Sequence, residues 1–371
     1  SFDIDNAPKA YDHLMNDKGA LGVLLTYKAE EEATLARTLA LSDIANSEAD
    51  KSVIGAIGAG NYAGRVLLPA FKNAGAHLKV IATSQGISGT YFGKKLGFEL
   101  NTTDSDSLFT DEDINTVVIA TQHNTHSRFV VQALEAGKNV FVEKPLALTH
   151  GELDKIDSAY NDAHKRGNNP RLMVGFNRRF APLLQNLKAQ LDKSKEPMSI
   201  VYTCNVGSIP AESWIQNSEA GGGRIIGEAC HFIDLPRYLI KKPVADIQAV
   251  TMKKPEGVTD CHDTATITIL FENGSIATVH YFANGHQSFQ KERIEVFQGG
   301  KTMVLDNFRR LTGFGVKSLN SKSFKQNKGQ QNCCNAFVQS IEKGGNSPIP
   351  YDELMEVSRA CIRAWDQLKT Q

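Results

Sequence analysis

The sequence predicts an α/β chain: a parallel-sheet domain comes first, then an α+β domain with a large, open, mostly antiparallel sheet. Three observations carry this. Between residues 53 and 176, short apolar runs alternate with stretches of helical length, the pattern of a parallel sheet covered on both faces. From residue 199 onward, alternation of apolar and polar residues with period two takes over. And 371 residues exceed what one compact core holds. The expected division is an N-terminal extension over 1–51, a first domain over 52–176 and a second over 177–371.

The elements follow in order. Residues 8–16 read as a short helix, 21–27 (LGVLLTY) as a strand, and the Ala-, Glu- and Leu-rich 29–50 as a helix or helical linker. Val53–Gly58 is a buried strand, and 61–73 is helical despite Pro69. Strands at 78–82 and 98–100 flank a helix at 89–96. TVVIAT at 116–121 is a strand. The helix over 126–136 stops at Gly137, a residue suited to the left-handed backbone past a helix end. NVFVE at 139–143 is a strand, 149–166 a helix and 172–176 a strand. Phe180, Leu183, Leu184, Leu187 and Leu191 recur at helical spacing. Strands are expected at 199–207, 245–253, 264–271, 275–284, 294–298 and 302–305, with Asn273-Gly274 marking a hairpin between two of them. The C-terminal stretches 331–343 and 352–368 are helical.

Composition excludes several classes. Lys plus Arg and Asp plus Glu both number 41, so net charge gives no drive toward nucleic acid or an anionic membrane. No apolar run is long enough to span a bilayer. Six cysteines, at 204, 230, 261, 333, 334 and 361, form no paired framework and read as reduced thiols. They lack the Cys-x-x-Cys spacing of a zinc site, so no metal is expected. A cytoplasmic protein is the expectation.

Gly58-Ala59-Gly60-Asn61-Tyr62-Ala63 fits G-x-G-x-x-A between a buried strand and a helix. Gly58 permits the tight turn, Gly60 leaves room for a pyrophosphate, and Ala63 lets helix and strand pack closely. The helix start offers free N–H groups and a positive dipole end. This is a Rossmann turn, and it implies NAD or NADP. Asn61 and Tyr62 belong to the same cofactor-binding turn. The second strand ends in Thr83-Ser84-Gln85-Gly86 with no carboxylate for the ribose hydroxyls, a slight lean toward NADP. Thr121 and His123 sit at the carboxyl end of a later strand, where open α/β sheets bind ligands.

Further residues carry a family resemblance. Glu143-Lys144-Pro145 follows the Gly-rich turn, with Ala120-Thr121-Gln122-His123-Asn124-Thr125-His126 upstream. Gly175-Phe176-Asn177-Arg178-Arg179-Phe180, then Gly221-Gly222-Gly223 leading to His231 and Asp234, lie downstream. In this order the set resembles the glucose–fructose oxidoreductase / inositol dehydrogenase / MocA family over 52–370. The resemblance implies hydride transfer between NAD(P) and a sugar, polyol or nucleotide-sugar, and a homo-oligomer built through the second domain's sheet. It implies Lys144 near the nicotinamide and His231 near the substrate hydroxyl, both handling the proton that hydride transfer displaces. Glu143 falls to the cofactor side, and His126 is either structural or near the cofactor, not a proton shuttle. Asn177, Arg179, Trp214 and Asp234 fall to the substrate side, though a salt bridge for Arg179 and a core position for Trp214 are equal alternatives. One departure matters. Many family dehydrogenases carry Asp four residues before the histidine, and here that position is Gly227. Glu228 follows it and would share a helix face with His231. It can orient His231, bind substrate or serve as a structural acid. Pro236 predicts a kink or an early helix end. Two other activities known in the family, dinucleotide sensing in regulation and NAD-dependent glycoside cleavage, are the alternatives.

Residues 2–27 lie outside that resemblance. Phe-Asp-Ile-Asp-Asn-Ala-Pro-Lys-Ala-Tyr followed by Ala20-Leu21-Gly22-Val23-Leu24-Leu25-Thr26-Tyr27 is similar to the tail of a zinc-type medium-chain dehydrogenase. The expectation is the C-terminal part of a two-module oxidoreductase; the alternative is a helical extension packed on the first domain.

Overall fold

The computed structural model describes residues 1–3, 6, 9–10, 13, 22–26, 36–42, 51–253, 262–317 and 319–371. It divides into two units, Ser1–Leu39 and Ala40–Gln371. In the first, Phe2–Asp3 pairs in parallel with Leu25–Thr26, inside the run expected to be a strand. Most of the helices expected over 8–16 and 29–50 lies outside the described residues. Thr38–Ala40 is a strand, not helix. A sheet-edge hydrogen bond from Leu41 N–H to the Glu99 carbonyl (2.7 Å) draws the chain straight there.

The second unit opens with the parallel sheet. Its strands are β1 (Val53–Ile57), β2 (His77–Ala82), β3 (Leu100–Thr102), β4 (Thr116–Ile119), β5 (Asn139–Val142) and β6 (Leu172–Val174). They run in the order β3-β2-β1-β4-β5-β6. The order reverses between β1 and β4, which opens a crevice at the carboxyl ends of those strands. Every residue of β1 and β4 is buried, as expected of strands covered on both faces.

The helix after β1 explains how Pro69 fits. It contains a π-turn, Ala63–Leu67, before α1 (Leu68–Asn73). Leu68 N–H reaches back five residues to the Ala63 carbonyl. The wider turn accommodates a residue that has no N–H to give. Gly64 lies against Phe92 of α2 (Ile87–Leu96): a Cβ there would come within 2.5 Å of the ring. A short helix α3 (Ser107–Thr110), α4 (His126–Glu135) and α5 (His150–Lys165) complete the layer. Thr149 and Glu152 close α5's start as a reciprocal capping box.

The second sheet has β7 (Ser199–Asn205), β8 (Val244–Thr251), β9 (Thr264–Phe271), β10 (Ile276–Phe282), β11 (Glu292–Gln298), β12 (Lys301–Asp306), β13 (Arg310–Phe314) and β14 (Ser321–Lys322). Their order is β8-β9-β10-β7-β11-β12-β13-β14. Only the β7–β10 pair is parallel. Helices α6 (Pro182–Leu191), α7 (Cys230–Ile240) and α9 (Tyr351–Lys369) pack on one face, while α8 (Gln330–Glu342) packs on α1. The other face is open. One cross-strand row on it runs Ile276, Ser199, Phe297, Thr302, Phe314, and its three large apolar side chains are exposed. The sequence missed β13 and β14, which are short and weakly patterned. Pro236 does not end α7 early, for the helix continues to Ile240. A π-turn at Ile225–Ala229 precedes it.

Two successive arginines after β6 tie the sheets together. Arg178 makes a bidentate pair with Glu292 of β11 (2.8 and 2.9 Å), and Glu292 also accepts from Tyr202 and Lys328. Arg179 pairs with Asp234 of α7 (2.6 Å) and Glu353 of α9 (2.5 Å). All but Glu353 and Lys328 are buried. Removing one partner leaves a charge stranded in the interior, which costs about 3–5 kcal/mol. Arg178→Met is therefore expected to lose that much in urea unfolding; a loss below about 1 kcal/mol would show the pair to be dispensable.

Candidate functional site

The crevice predicted by the strand order is present, a cleft of about 960 Å³ between the glycine turn and the Trp214–Ile215 loop. Gly58 has φ of 100°, and a Cβ there would lie 2.4 Å from the Ala120 carbonyl oxygen. Only glycine serves at that point. Gly60 differs: a Cβ there would meet nothing within 4 Å. Its open side faces the cleft that it lines. Asn61, Tyr62, Ala63, Thr83, Ser84, Thr121, His123, His126, Glu143 and Lys144 all line the same cleft. The sequence thus brings together every residue expected on the cofactor side.

These residues fit a dinucleotide. The helix begins at Asn61, within the glycine turn that lines the cleft, and a helix N-terminus is where a pyrophosphate is best held. The ends of β2 and β4 extend the cleft to either side. Ser88, Thr103, Ser105 and Arg128 also line it and were missed by the sequence reading. Thr103 and Ser105 follow β3, and the rule that ligands sit at strand carboxyl ends points to them.

The groups able to move protons lie within reach of the charge of Lys144, which lines the cleft. Lys144 donates from Nζ to the Gly227 carbonyl oxygen (2.8 Å), which uses one of its three N–H bonds. Burial pushes the Glu143 carboxyl up to about 7, against the opposing pull of Lys144. Its oxygens lie against Gly175, where a Cβ would fall 2.8 Å from Oε1. His126 is fully buried, with Nδ1 2.7 Å from the Pro145 carbonyl oxygen and Nε2 3.2 Å from that of Thr121. Burial pulls it down to about 4, so it is neutral and donates from one ring nitrogen only, the shorter contact placing that proton on Nδ1 toward Pro145. His231 lies on α7, 6% exposed and outside the cleft lining, and its buried Nδ1 has no hydrogen-bond partner. Burial, then the charge of Arg178 and Lys144, holds it well below the usual histidine range. A buried ring nitrogen left unpaired is costly unless a ligand meets it.

The expected substrate side is only partly assembled. Trp214 lines the cleft, its ring edge-on to His123 at 4.8 Å. Arg179 and Asp234 are instead buried on one another, away from the cleft lining, and burial raises Asp234 to about 6 against the pull of Arg179. Asn177 is also buried and donates to the Lys328 carbonyl (2.7 Å), fixing that loop. Glu228 does not reach His231. Its carboxylate accepts from Tyr281 (2.7 Å), Lys291 (2.8 Å) and Arg224 (3.1 Å). Burial opposes its charge, yet Lys291 and Tyr281 hold it down to about 2. The π-turn, which has no signature in the residue pattern, breaks the helical spacing that would have set Glu228 beside His231.

Two family models match the chain. "Oxidoreductase family, NAD-binding Rossmann fold" covers residues 53–176, and "GFO/IDH/MocA C-terminal domain" covers 196–301.

The chain belongs to the Gfo/Idh/MocA oxidoreductase family.

Relatives within the Gfo/Idh/MocA family include myo-inositol 2-dehydrogenase of Thermotoga maritima, 28% identical over 59% of this chain and 64% of that protein. Levoglucosan dehydrogenase of Pseudarthrobacter phenanthrenivorans is 30% identical over 62% and 65%. These alignments span less than two thirds of the relatives' own lengths. Inositol 2-dehydrogenase of Rhizobium meliloti is 27% identical over 82% of this chain and 94% of its own. Among solved structures, levoglucosan dehydrogenase in complex with NADH and levoglucosan superposes with a TM-score of 0.73 at 22% identity, covering 86% of this chain and 97% of that one. That likeness shows the shared fold.

Glu143 generates a pH prediction. Its ordinary value is 4.5 and its folded value about 7. Between those limits the unfolded chain has released the proton and the folded chain has kept it. The folded state therefore loses stability as pH rises through that window and loses no more above it. Glu143→Gln is expected to flatten the dependence of the urea midpoint across that window. An unchanged slope would place the proton elsewhere.

Proposed function

We propose that this chain is a nicotinamide-dependent oxidoreductase that moves hydride between NAD(P) and a hydroxyl-bearing carbon of a sugar-like polyol. The single observation that carries it is Lys144, fixed at the end of the same cleft that begins at the glycine turn. The names of the relatives, inositol and levoglucosan dehydrogenases, point to a cyclic polyol or sugar as substrate. When bound, the oxidised nicotinamide accepts hydride from the carbon.

The chain's own residues handle the rest. Lys144 takes the hydroxyl proton at Nζ as the C–H bond breaks, and returns it in the reverse direction. Gly227 holds that nitrogen in place through its carbonyl oxygen. The unpartnered Nδ1 of His231 receives or supplies a hydrogen bond at the substrate hydroxyl. Trp214 covers one wall with an apolar ring face. Glu228 serves as the structural acid of the three roles considered for it, fixing Lys291 and Tyr281 behind the site.

Finer points extend this reading. Thr83 and Ser84 end β2 without a carboxylate, and Ser88, Thr103 and Ser105 add hydroxyls, which supports NADP. The division at residues 176 and 177 separates the cofactor part from the substrate part. The five described cysteines are free and buried, which fits a reducing cytoplasm, and among the described residues no helix is long and apolar enough to cross a membrane.

Lys144→Ala is expected to reduce kcat/KM by about 10²–10⁴ on myo-inositol or levoglucosan, followed by nicotinamide absorbance. A variant within about threefold of wild type would remove Lys144 from the chemistry. The open row of Ile276, Phe297 and Phe314 supports a homo-oligomer joined through the second sheet. Phe297→Glu with Phe314→Glu should shift the mass seen by light scattering to one chain; an unchanged mass would place any contact elsewhere.

A further inference from the structure

His123, expected from the sequence on the cofactor side, is a buried titratable group to which the scheme above gives no task at the dinucleotide or the substrate. It opens a tight turn, His123–Thr125, at the end of β4. The side chain is 7% exposed yet lines the cleft. Nδ1 lies 2.8 Å from the Gly221 carbonyl oxygen. A carbonyl accepts only, so Nδ1 carries the proton and Nε2 carries the lone pair. Burial, then the charge of Lys144, pulls the ring down to about 3, so it is neutral at working pH. Trp214 stands edge-on at 4.8 Å and His126 at 5.6 Å. Asn124 N–H bonds the Ala220 carbonyl (3.2 Å), so the loop that anchors the ring is itself pinned to the same turn.

Gly227 explains what the ring displaces. A Cβ at Gly227 would lie 2.8 Å from His123 Cε1 and 3.2 Å from Nδ1. The backbone at Gly227 is not left-handed, so the glycine is needed for space and not for its φ. Cε1 lies between the two ring nitrogens, so the imidazole fills the volume where a side chain from position 227 would stand. The carbonyl of that same residue holds Lys144 Nζ. One glycine thus touches both the ring and the proton-handling amine. Many dehydrogenases of the family it resembles carry Asp at this point, and position 227 here has no acid.

We propose that His123 determines substrate specificity: its neutral Nε2 accepts a hydrogen bond from a second hydroxyl of the substrate, beside the hydroxyl that Lys144 serves. The substrate class is then an uncharged polyol with neighbouring hydroxyls. Gly227 is the partner that makes room for the ring. This rests on the oxidoreductase reading above.

The test separates the two. Wild type, His123→Leu and His123→Gln are assayed on myo-inositol and levoglucosan with either nicotinamide cofactor, and NADH and NADPH affinities are measured by fluorescence. His123→Leu is expected to lose about 10–100-fold in kcat/KM. Glutamine, whose Oε1 stands near the place of Nε2, is expected to recover to within about fivefold of wild type. Dinucleotide affinity should move by less than about threefold in either variant. Gly227→Asp alone should lower both thermal midpoint and activity, and His123→Ala with Gly227→Asp should recover much of both, because the carboxylate then fits the vacated space and accepts the same bond. Nitrogen-15 spectra should show Nδ1 protonated and Nε2 bare throughout the neutral range.

Each contrary outcome has a meaning. An active wild type whose His123→Leu is equally active overturns the proposal and leaves the enzyme reading standing. A loss of dinucleotide affinity that matches the loss of activity also overturns it, since the ring then serves the cofactor. A protonated Nε2 overturns it as well. A wild type that binds dinucleotide but oxidises no polyol overturns the enzyme reading, and this proposal with it, whatever the tautomer.

Discussion

The tandem Arg178–Arg179 is the constraint on which the rest of the molecule depends. The two side chains leave the end of β6 toward different elements, one to β11 and the other to α7 and α9. Two buried guanidinium groups can be tolerated only where carboxylates meet them with good geometry. Here Glu292, Asp234 and Glu353 do so. The parallel sheet is thereby registered on the second sheet. Helix α7 is placed with it, because Asp234 lies one turn beyond His231 on the same helix. The position of His231, whose ring feels the charge of Lys144, is thus tied to charge pairing one turn further along its helix.

This also explains why two residues expected at the substrate are absent from the cleft. Arg179 and Asp234 carry the chemistry of anion or hydroxyl binding, and nothing in their local sequence says that they bind each other. They stand 55 residues apart in the chain. Pairing over such a distance is a property of the fold. Asn177 is similar: its amide goes to a backbone carbonyl of Lys328, which no local pattern announces.

The first sheet was legible because its signals are local. β1 and β4 are continuous apolar runs, the glycine turn sits between a strand and a helix, and Gly137 ends α4 as its backbone freedom suggests. Thr83, Ser84, Thr121 and His123 follow from the strand ends and Gly58 to Ala63 from the glycine turn, whereas Glu143, Lys144 and His126 came only with the family resemblance. Less was legible where the backbone departs from ideal spacing. The π-turns at Ala63–Leu67 and Ile225–Ala229 accommodate Pro69 in one case and redirect Glu228 in the other. Neither has a sequence signature of its own. β13 and β14 were missed because five and two residues give too few alternations to read. The helix expected across 29–50 yields a strand at Thr38–Ala40, and the remainder falls largely outside the described residues.

The central claim is that the cleft between Gly60 and Lys144 holds a nicotinamide dinucleotide. Calorimetric titration of the chain with NAD, NADH, NADP and NADPH tests it most directly, repeated on Gly60→Arg. The arginine meets no protein atom near its Cβ, so it fills the cleft without unfolding the turn. Saturable binding of at least one dinucleotide to the wild type, lost in the variant, is the predicted result. Absence of binding by all four, or equal binding by Gly60→Arg, would contradict the account.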